Sequence, residues 1–338
     1  MSIELRPRVP RRAKISALGT FVPPRVLTNA DLSKMVDTSD DWIMQRLGIR
    51  ERHLVEPGMA TSDMAVEAAQ RCLQHRGIPA SEVEVVIVAT VTPDMLFPAT
   101  ACLVQNKIGA YGAWGFDLSA ACSGFLYALQ VGAKLVESGA HSKVLVIGAD
   151  AMSSIIDYTD RTTCVIFGDG AGAVLIEPTE DGEIGLIDYC HEIDGSGAAA
   201  LNMPAGGSLI PASNESIAKR LHYVHQDGQT VYKYAVRKMV ETSNKLLAAN
   251  NISVADLSCF IPHQANKRII LSTAERLGLP LERVIINIDR FGNTTAATIP
   301  LAMQTALDEN HLERGSLVLL ASVGAGFTVG ACLLRWEM

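Results

Sequence analysis

The chain has 338 residues, of which 48% are hydrophobic and 19% are charged. A chain of this length and composition can bury a large core, is long enough for two domains, and does not belong to the intrinsically disordered class. Its formal net charge of −7 at pH 7 gives no electrostatic support to nucleic-acid binding.

The cysteines and the apolar segments of the chain indicate the cellular compartment in which the protein is expected. Seven cysteines without a CxxC pair argue against a disulfide framework and against a structural zinc site. The basic N-terminus lacks the apolar core of a signal peptide, and no apolar run is long enough to span a membrane. We therefore expect a cytoplasmic protein that has no membrane segment and binds no metal.

The first half of the chain alternates helical and strand patterns. Helical spacing of apolar residues over 61–75 is followed by β-rich segments at 83–91 and 114–118, a helix at 123–137 and a strand at 144–149. Strands separated by helices of about a dozen residues are typical of α/β layers. The sequence therefore predicts an α/β fold.

Cys122 lies between the predicted strand 114–118 and the predicted helix 123–137. The N–H groups and the dipole of the first helical turn would stabilise a thiolate there and lower the pKa of the thiol. A thiolate is a nucleophile and forms covalent intermediates. The alternative is an inert buried cysteine that acts as a small hydrophobe, which suits the other six cysteines.

Two further polar residues follow predicted strands in the second half. His263 comes after the apolar run 257–261 and before a helical pattern, and Asn293 comes after the run 284–288 and before another helix. Each residue has an ordinary alternative reading. A single histidine is commonly a surface or core residue, and an asparagine before two threonines is commonly an N-cap.

The two halves of the chain repeat the same order of elements. In each half a helix leads to a strand, and a later strand leads to one of the candidate polar residues. The matching segments are 61–75 with 232–249, 83–91 with 257–261, 114–118 with 286–290, and 144–149 with 317–321. This repeat predicts two halves, which we place at 14–185 and 186–338.

The duplication gives the three candidates a common location. Ligands of α/β sheets bind beyond the carboxyl ends of strands, where Cys122, His263 and Asn293 are all expected. If the halves pack about a pseudo-twofold axis, the three side chains converge in one cleft. A nucleophile, a histidine and an asparagine in one cleft predict covalent catalysis.

Seven motifs in the chain point to a known family. They lie at 38–43, 48–52, 120–124, 167–173, 262–266, 292–295 and 324–328. In these motifs the sequence closely resembles the β-ketoacyl-[acyl carrier protein] synthase III family, thiolase-fold enzymes that start type II fatty-acid synthesis. The resemblance extends from Lys14 to the C-terminus. It implies a thiolase-like fold with duplicated αβ halves in a five-layered α-β-α-β-α arrangement.

The resemblance also implies a catalytic set. Cys122 would be the acylated nucleophile, and His263 and Asn293 would complete the Cys-His-Asn set of the family. The N–H groups of Cys122 and Ala325 would form the oxyanion hole. The implied reaction is decarboxylative Claisen condensation of a short acyl-CoA with malonyl-[acyl carrier protein], which gives 3-oxoacyl-[acyl carrier protein]. No metal or redox cofactor takes part, and coenzyme A enters as a thioester substrate.

The same resemblance implies substrate-binding residues. Trp42 and Arg161 match the residues that flank the adenine of coenzyme A, and Asn266 matches a residue of the pantetheine tunnel. Lys233 and Arg268 match basic positions that dock the acidic carrier protein. These two residues would supply a local basic patch on a chain of net negative charge.

Phe97 matches a residue that reaches across a homodimer to bound the acyl pocket of the neighbouring subunit, so a homodimer is implied. Two positions depart from the family pattern. Ala325 stands where many members have glycine, which requires a negative φ at that residue. Glu275 stands where some members have a second basic residue on the docking helix, so we expect a weaker patch.

Three alternatives stay open at the level of sequence. A related condensing enzyme of secondary metabolism would share the same catalytic set and use another acyl donor. Papain-like hydrolases also have the order Cys, His, Asn, although the Cys-Gly-Ser-Cys context of that family is absent here. A non-catalytic acyl-binding scaffold would be expected to lack Cys122, His263 or Asn293.

Overall fold

The computed structural model describes residues 12–338. Its strands, in chain order, are β1 (Arg12–Phe21), β2 (Arg25–Thr28), β3 (Glu51–Leu54), β4 (Val85–Ala89), β5 (Trp114–Leu118), β6 (Val144–Asp150), β7 (Gly170–Thr179), β8 (Gly185–Ile193), β9 (Leu201–Asn202), β10 (His225–Gln226), β11 (Cys259–Pro262), β12 (Leu317–Gly324) and β13 (Thr328–Arg335).

The α-helices of the same residues lie between these strands. They are α1 (Asn29–Leu32), α2 (Asp40–Arg46), α3 (Thr61–Arg76), α4 (Thr100–Ile108), α5 (Gly124–Glu137), α6 (Asn214–Ala218), α7 (Gly228–Ala249), α8 (Lys267–Leu277), α9 (Ile288–Phe291) and α10 (Thr298–Asp308). None of the described helices is both long enough and apolar enough to cross a membrane.

The first large sheet has the strand order β1-β7-β6-β4-β5. Strand β4 runs parallel to β5 and β6, and β7 runs antiparallel to β6 and β1. Every residue of β4 and β6 is buried, because helices cover both faces of these central strands. Helices α3 and α4 pack on the outer face, and α5 packs on the inner face.

The second large sheet has the order β11-β12-β13-β8, in which only β11 and β12 are parallel. Helices α7 and α8 cover its outer face. Helices α5 and α10 lie between the two sheets, in one apolar core shared by both. The layers are therefore α3/α4, sheet, α5/α10, sheet and α7/α8, and this arrangement confirms the expected five-layered α/β fold.

The chain passes from the first sheet to the second between β7, which ends at Thr179, and β8, which begins at Gly185. Our proposed boundary, between residues 185 and 186, falls one residue inside β8, and the division into the halves 14–185 and 186–338 stays a prediction. Most predicted elements of both halves are confirmed. In the first half the helix 61–75 is α3 and the strand 144–149 is β6, and in the second half the helix 232–249 lies in α7 and the strand 317–321 lies in β12.

The predicted strand over 284–288 is wrong, because these residues, all within the described chain, form no strand. Val284 makes a single bridge to Phe260 at the edge of the second sheet. The side chain of Gln264 then accepts the N–H of Asn287 at 3.0 Å, so a side chain replaces the backbone partner that a neighbouring strand would use. The chain turns into α9 instead.

Candidate active site

The turn that carries Cys122 is held in place by the second half of the chain. After β5 the backbone takes a left-handed conformation at Ala121, with φ of 47°, and a short 3₁₀ turn leads into α5. The hydroxyl of Ser322 donates to the carbonyl of Cys122 at 2.8 Å, and that of Thr328 donates to Ala120 at 2.8 Å. A β-carbon at Gly324 would lie 2.6 Å from the Cys122 nitrogen. Only glycine allows so close an approach.

The expected lowering of the Cys122 pKa is wrong for the free protein. Burial raises the pKa of the thiol to about 12, and the buried carboxylate of Asp150 adds to the effect. Loss of hydration is the largest cause, and it outweighs the backbone hydrogen bond that lowers the pKa. The resting residue is a thiol, and its proton has to leave during nucleophilic attack.

His263 follows β11 directly, and its N–H donates to the carbonyl of Ala321 in β12 at 2.8 Å. The ring is buried, and this burial lowers the pKa of the imidazole to about 3, so the ring is neutral at physiological pH. Nδ1 lies 2.6 Å from the hydroxyl of Thr298. Nε2 is buried and has no hydrogen-bond partner among residues 12–338.

Asn293 belongs to the second half but pairs with the first. Its N–H donates to the carbonyl of Ile166 at 3.0 Å, and the N–H of Gly168 donates to its carbonyl at 3.0 Å. The side-chain Oδ1 accepts the N–H of Thr295 at 2.9 Å, as in the turn that the N-cap alternative describes. Because Oδ1 is occupied, the Nδ2 amide group is the part of Asn293 that can donate to a ligand.

Cys122, His263 and Asn293 line one cavity of about 180 Å³. Asn266 lines the same cavity and is the N-cap of α8, where its Oδ1 accepts the N–H of Arg268 at 2.8 Å. The cavity therefore brings together one thiol, one neutral imidazole and three amides, those of Gln226, Asn266 and Asn293, contributed by both halves of the chain.

A second pocket, of about 160 Å³, meets the first at Cys122. Its walls are mostly apolar and include Val91, Met152, Ile155, Leu201, Met203 and Val224. Ala325 also lines this pocket, and it lies outside the set of described residues with positive φ. The β-carbon at position 325 is therefore tolerated. The pocket suits an alkyl chain attached to the sulfur.

Trp42 and Arg161, which the resemblance assigns to the adenine of coenzyme A, are in contact with each other. The guanidinium of Arg161 sits over the Trp42 ring at 5.6 Å, and it also donates to the carbonyl of Asp37 at 2.8 Å. Thr162, the next residue, lines the cavity of Cys122. The ring and the guanidinium are in direct contact, and each of them can stack on a nucleobase; a base between them would have to push them apart.

Two exposed basic residues lie at the rim of the cavity. Arg268 sits over the ring of Tyr232 at 5.6 Å, and Tyr232 itself lines the cavity. Lys233 is the next residue in α7 and is exposed. Glu275 is exposed on the same helix as Arg268, two turns further along.

Phe97 is placed apart from the other candidates. Its side chain is 84% exposed, and within the described chain it lines neither cavity. Met95 and Leu96 beside it are also exposed. A large apolar run of this kind on a surface usually marks an interaction site.

Sequence reasoning missed three residues that support the site: Asp150, Thr295 and Thr298. The carboxylate of Asp150 accepts hydrogen bonds from the hydroxyl of Thr295 and from the N–H of Ala296. Two features of the sequence could have drawn attention to these residues. One is the spacing of the hydroxyl residues after Asn293, and the other is a carboxylate at the end of a fully apolar strand. Neither pattern identifies its partners without the fold.

Comparisons with known proteins agree with this architecture. A family model described as 3-oxoacyl-[acyl-carrier-protein (ACP)] synthase III matches residues 116–202, and the C-terminal model of that family matches residues 247–336. The beta-ketoacyl-[acyl-carrier-protein] synthase III of Koribacter versatilis (strain Ellin345) is 66% identical over 327 residues, which cover 96% of this chain and 98% of that protein.

Solved structures give the same result. The crystal structure of 3-oxoacyl-[acyl-carrier-protein] synthase III from Aquifex aeolicus VF5 superposes with a TM-score of 0.89 at 42% identity, covering 96% of this chain and 100% of that one. The priming beta-ketosynthase of the R1128 polyketide biosynthetic pathway superposes with a TM-score of 0.90 at 32% identity, covering 99% of both chains. This chain therefore belongs to the 3-oxoacyl-[acyl-carrier-protein] synthase III family.

Proposed function

We propose that this chain condenses a short acyl-CoA primer with malonyl-[acyl carrier protein] and so initiates type II fatty-acid synthesis. The observation that carries the proposal is the shared position of Cys122, His263 and Asn293 in one cavity, together with a second, apolar pocket that Cys122 also lines. A nucleophile between a polar chamber and an alkyl-sized pocket suits an acyl group held as a thioester.

In the first step, the sulfur of Cys122 attacks the thioester carbon of the acyl-CoA. A new carbon–sulfur bond forms, the bond to coenzyme A breaks, and the proton lost by the Cys122 thiol is balanced by the proton gained by the coenzyme A thiol. The N–H groups of Cys122 and Ala325 hold the oxyanion of the tetrahedral intermediate. The alkyl chain then occupies the apolar pocket.

In the second step, the malonyl group loses carbon dioxide and leaves an enolate whose charge lies mainly on the thioester oxygen. Nε2 of His263 and Nδ2 of Asn293 donate to that oxygen. The enolate carbon attacks the acyl carbon, the bond to Cys122 breaks, and the thiolate that leaves takes up one proton from water. Decarboxylation supplies the carbanion, so the reaction requires neither a metal nor a redox cofactor.

Substrate entry uses the rim of the cavity. We assign Trp42 and Arg161 to the adenine of coenzyme A and Asn266 to its pantetheine arm, because these residues lie at or beside the cavity. We assign Lys233 and Arg268 to the acidic carrier protein, because both are exposed at the rim.

We propose a homodimer, which is supported by the exposed apolar run at 95–97 and by the edge strand β5 with its half-exposed Trp114. A cytoplasmic location is supported by the seven cysteines, which all lie within the described residues and are unpaired.

The proposal is tested with the purified protein, acetyl-CoA and malonyl-[acyl carrier protein]. The expected result is formation of acetoacetyl-[acyl carrier protein] with release of one carbon dioxide, together with an acetyl adduct on Cys122 detected by mass spectrometry. Cys122→Ser should abolish both signals. Acyl uptake by the wild-type protein without any condensation product would contradict the proposal.

The second candidate is priming of a specialised pathway, which the similarity to the R1128 priming ketosynthase favours. A panel of straight, branched and longer acyl-CoA donors, scored by mass of the Cys122 adduct, separates the two functions. A strong preference for a donor other than a short primer would favour the second candidate. The hydrolase alternative is dropped, because the chain belongs to a synthase family.

A further inference from the structure

The proposed function leaves open which ring nitrogen of the neutral His263 carries the proton that it donates. A neutral imidazole carries one N–H, so either Nδ1 or Nε2 can donate but not both. Nδ1 is occupied by the hydroxyl of Thr298 at 2.6 Å, which leaves Nε2 as the ring nitrogen available to a ligand in the cavity. The proton has to be on Nε2 if His263 is to stabilise an enolate.

The hydroxyl of Thr298 is the group that contacts Nδ1 of His263. Thr298 is buried and is the first residue of α10, and its hydroxyl has a single proton with two possible acceptors. One acceptor is Nδ1 of His263 at 2.6 Å, and the other is the carbonyl of Thr295 at 3.1 Å. That carbonyl already accepts the backbone N–H of Thr298. The contact with Nδ1 fits a hydrogen bond in either direction, and a reaction that needs an N–H at Nε2 requires the hydroxyl proton to go to Nδ1.

We propose that Thr298 is a positioning residue whose hydroxyl donates to Nδ1 of His263 and holds the ring in the Nε2–H tautomer. The proposal rests on the proposed function, because that reaction needs Nε2 as a donor. Asn293 is fixed in a parallel way, since the N–H of Thr295 occupies its Oδ1. The 3₁₀ turn Thr295–Ala297 and the start of α10 thus aim both N–H donors at the cavity.

The opposite tautomer would defeat the second step. With the proton on Nδ1, Nε2 would present a lone pair to the enolate oxygen, and attraction would become repulsion. The first step would not be affected in the same way, because its oxyanion is assigned to backbone N–H groups. Loss of the Thr298 hydroxyl should therefore separate the two half-reactions.

The experiment compares Thr298→Val, which has nearly the same shape without the hydroxyl, with Thr298→Ser, which keeps it. Thr242→Val is the matched control, since Thr242 is buried in α7 and its hydroxyl has no partner among the described residues. Three readouts are taken: the rate of Cys122 acylation by acetyl-CoA, the rate of malonyl decarboxylation with condensation, and the ¹⁵N spectrum of the His263 ring. The His263→Gln protein identifies the His263 signals.

For Thr298→Val we expect condensation to fall on the order of 10²-fold, as for the loss of one oriented donor, while acylation of Cys122 stays within about twofold of wild type. Thr298→Ser and Thr242→Val should condense within about fivefold of wild type. The wild-type ¹⁵N spectrum should show a protonated Nε2, and Thr298→Val should lose that preference.

Wild-type condensation by Thr298→Val, or a protonated Nδ1 in the wild-type ring, would overturn the proposal. The wild-type spectrum decides the tautomer even if Thr298→Val fails to fold. If the wild-type protein acylates Cys122 but never condenses, the proposed function fails instead, and the ¹⁵N spectrum alone then confirms or overturns the tautomer.

Discussion

At the scale of single residues, the site combines a thiol that holds its proton with donors that hold no charge. Burial raises the pKa of Cys122 to about 12 and lowers the pKa of His263 to about 3. Charge therefore develops in the cavity only when a substrate brings it. Fixed N–H donors stabilise such charge without rearranging, because the surrounding structure has already oriented them.

The first prediction concerns the division of labour between the three residues. Cys122→Ser should abolish acyl transfer, whereas His263→Ala and Asn293→Ala should still take up an acetyl group on Cys122. Both alanine variants should lose malonyl decarboxylation by about 10²–10³-fold, since each lacks one donor to the enolate. Release of labelled carbon dioxide measures this step. Full condensation by Asn293→Ala would show that its amide has no catalytic part.

The second prediction concerns His191, which is packed against Tyr127 with ring centroids 4.4 Å apart. Burial lowers the pKa of His191 to about 4. Between pH 6.5 and pH 4 the unfolded chain therefore binds a proton at this residue that the folded chain does not. The free energy of unfolding should fall as pH drops through that window, by on the order of 3 kcal/mol from this group.

Urea denaturation at pH 4.5 and pH 7 measures the effect. His191→Gln keeps a side-chain N–H for the carbonyl of Leu126, which His191 Nε2 contacts at 3.3 Å, but it cannot take up the proton. The variant should lose less stability than the wild type on acidification. Equal losses in both proteins would rule out His191 as the group responsible.

At the scale of elements, Asp150 connects the two halves at the site. It ends β6, and its carboxylate accepts hydrogen bonds from the end of β4 and from the turn that follows Asn293. The donors are the hydroxyls of Thr90, Thr92 and Thr295 and the N–H groups of Val91, Thr92 and Ala296. A buried carboxylate surrounded by donors in this way fixes the turn that orients Asn293.

The third prediction is that Asp150→Asn destabilises the fold by about 3 kcal/mol, because an amide places N–H groups against existing donors. Condensation should fall more than Cys122 acylation, since the turn beside Asn293 loses its anchor. Asp117→Asn is the matched control, because the Asp117 carboxylate accepts two N–H groups at the start of α4. The control should lose stability while keeping the ratio of the two rates. If Asp150→Asn kept the wild-type ratio of condensation rate to acylation rate, Asp150 would not be the residue that fixes the turn beside Asn293.

The elements show where sequence reasoning succeeds and where it fails. Periodicity located α3 and β6 because their burial follows from local pattern, and β5 was also located although none of its residues is buried. It misplaced the approach to Asn293, because the side chain of Gln264 replaces a strand partner there. Sequence reasoning also predicted a lowered pKa for Cys122, and this direction is wrong. The start of the helix is visible in the neighbouring residues, whereas the residues that bury Cys122 come from distant parts of the chain. Thr298 lacked any local signal that it would contact His263.

At the scale of the whole molecule, the proposed function requires a chain of net charge −7 to accept an acidic carrier protein. Our fourth prediction is that Arg268→Glu raises the KM for malonyl-[acyl carrier protein] and makes that KM less dependent on salt. Acetyl-CoA kinetics should barely change. Arg71→Glu, on the outer helix α3, introduces the same change of charge and should leave the KM for both substrates unchanged. An equal loss of activity with both substrates in Arg268→Glu would indicate a defect in the pantetheine tunnel that they share.

The exposed apolar run at 95–97 and the edge strand β5 give the molecule one surface that a second copy of the chain could cover. If Phe97 of one subunit closes the apolar pocket of the other, its stiff ring limits the length of the primer. An overfilled pocket costs about 1–3 kcal/mol, which is enough to select against longer chains. Phe97→Ala homodimers should therefore accept longer acyl-CoA donors than the wild type.

Mixed dimers test which subunit supplies the wall, and this is our fifth prediction. When a Phe97→Ala chain pairs with a Cys122→Ser chain, the working cysteine faces the native Phe97 of its partner and should keep the short-chain preference. When a wild-type chain pairs with a chain carrying both substitutions, the working cysteine faces alanine and should accept longer donors. Acyl adducts on Cys122, identified by mass, measure both profiles. The reverse pattern would show that Phe97 acts within its own subunit.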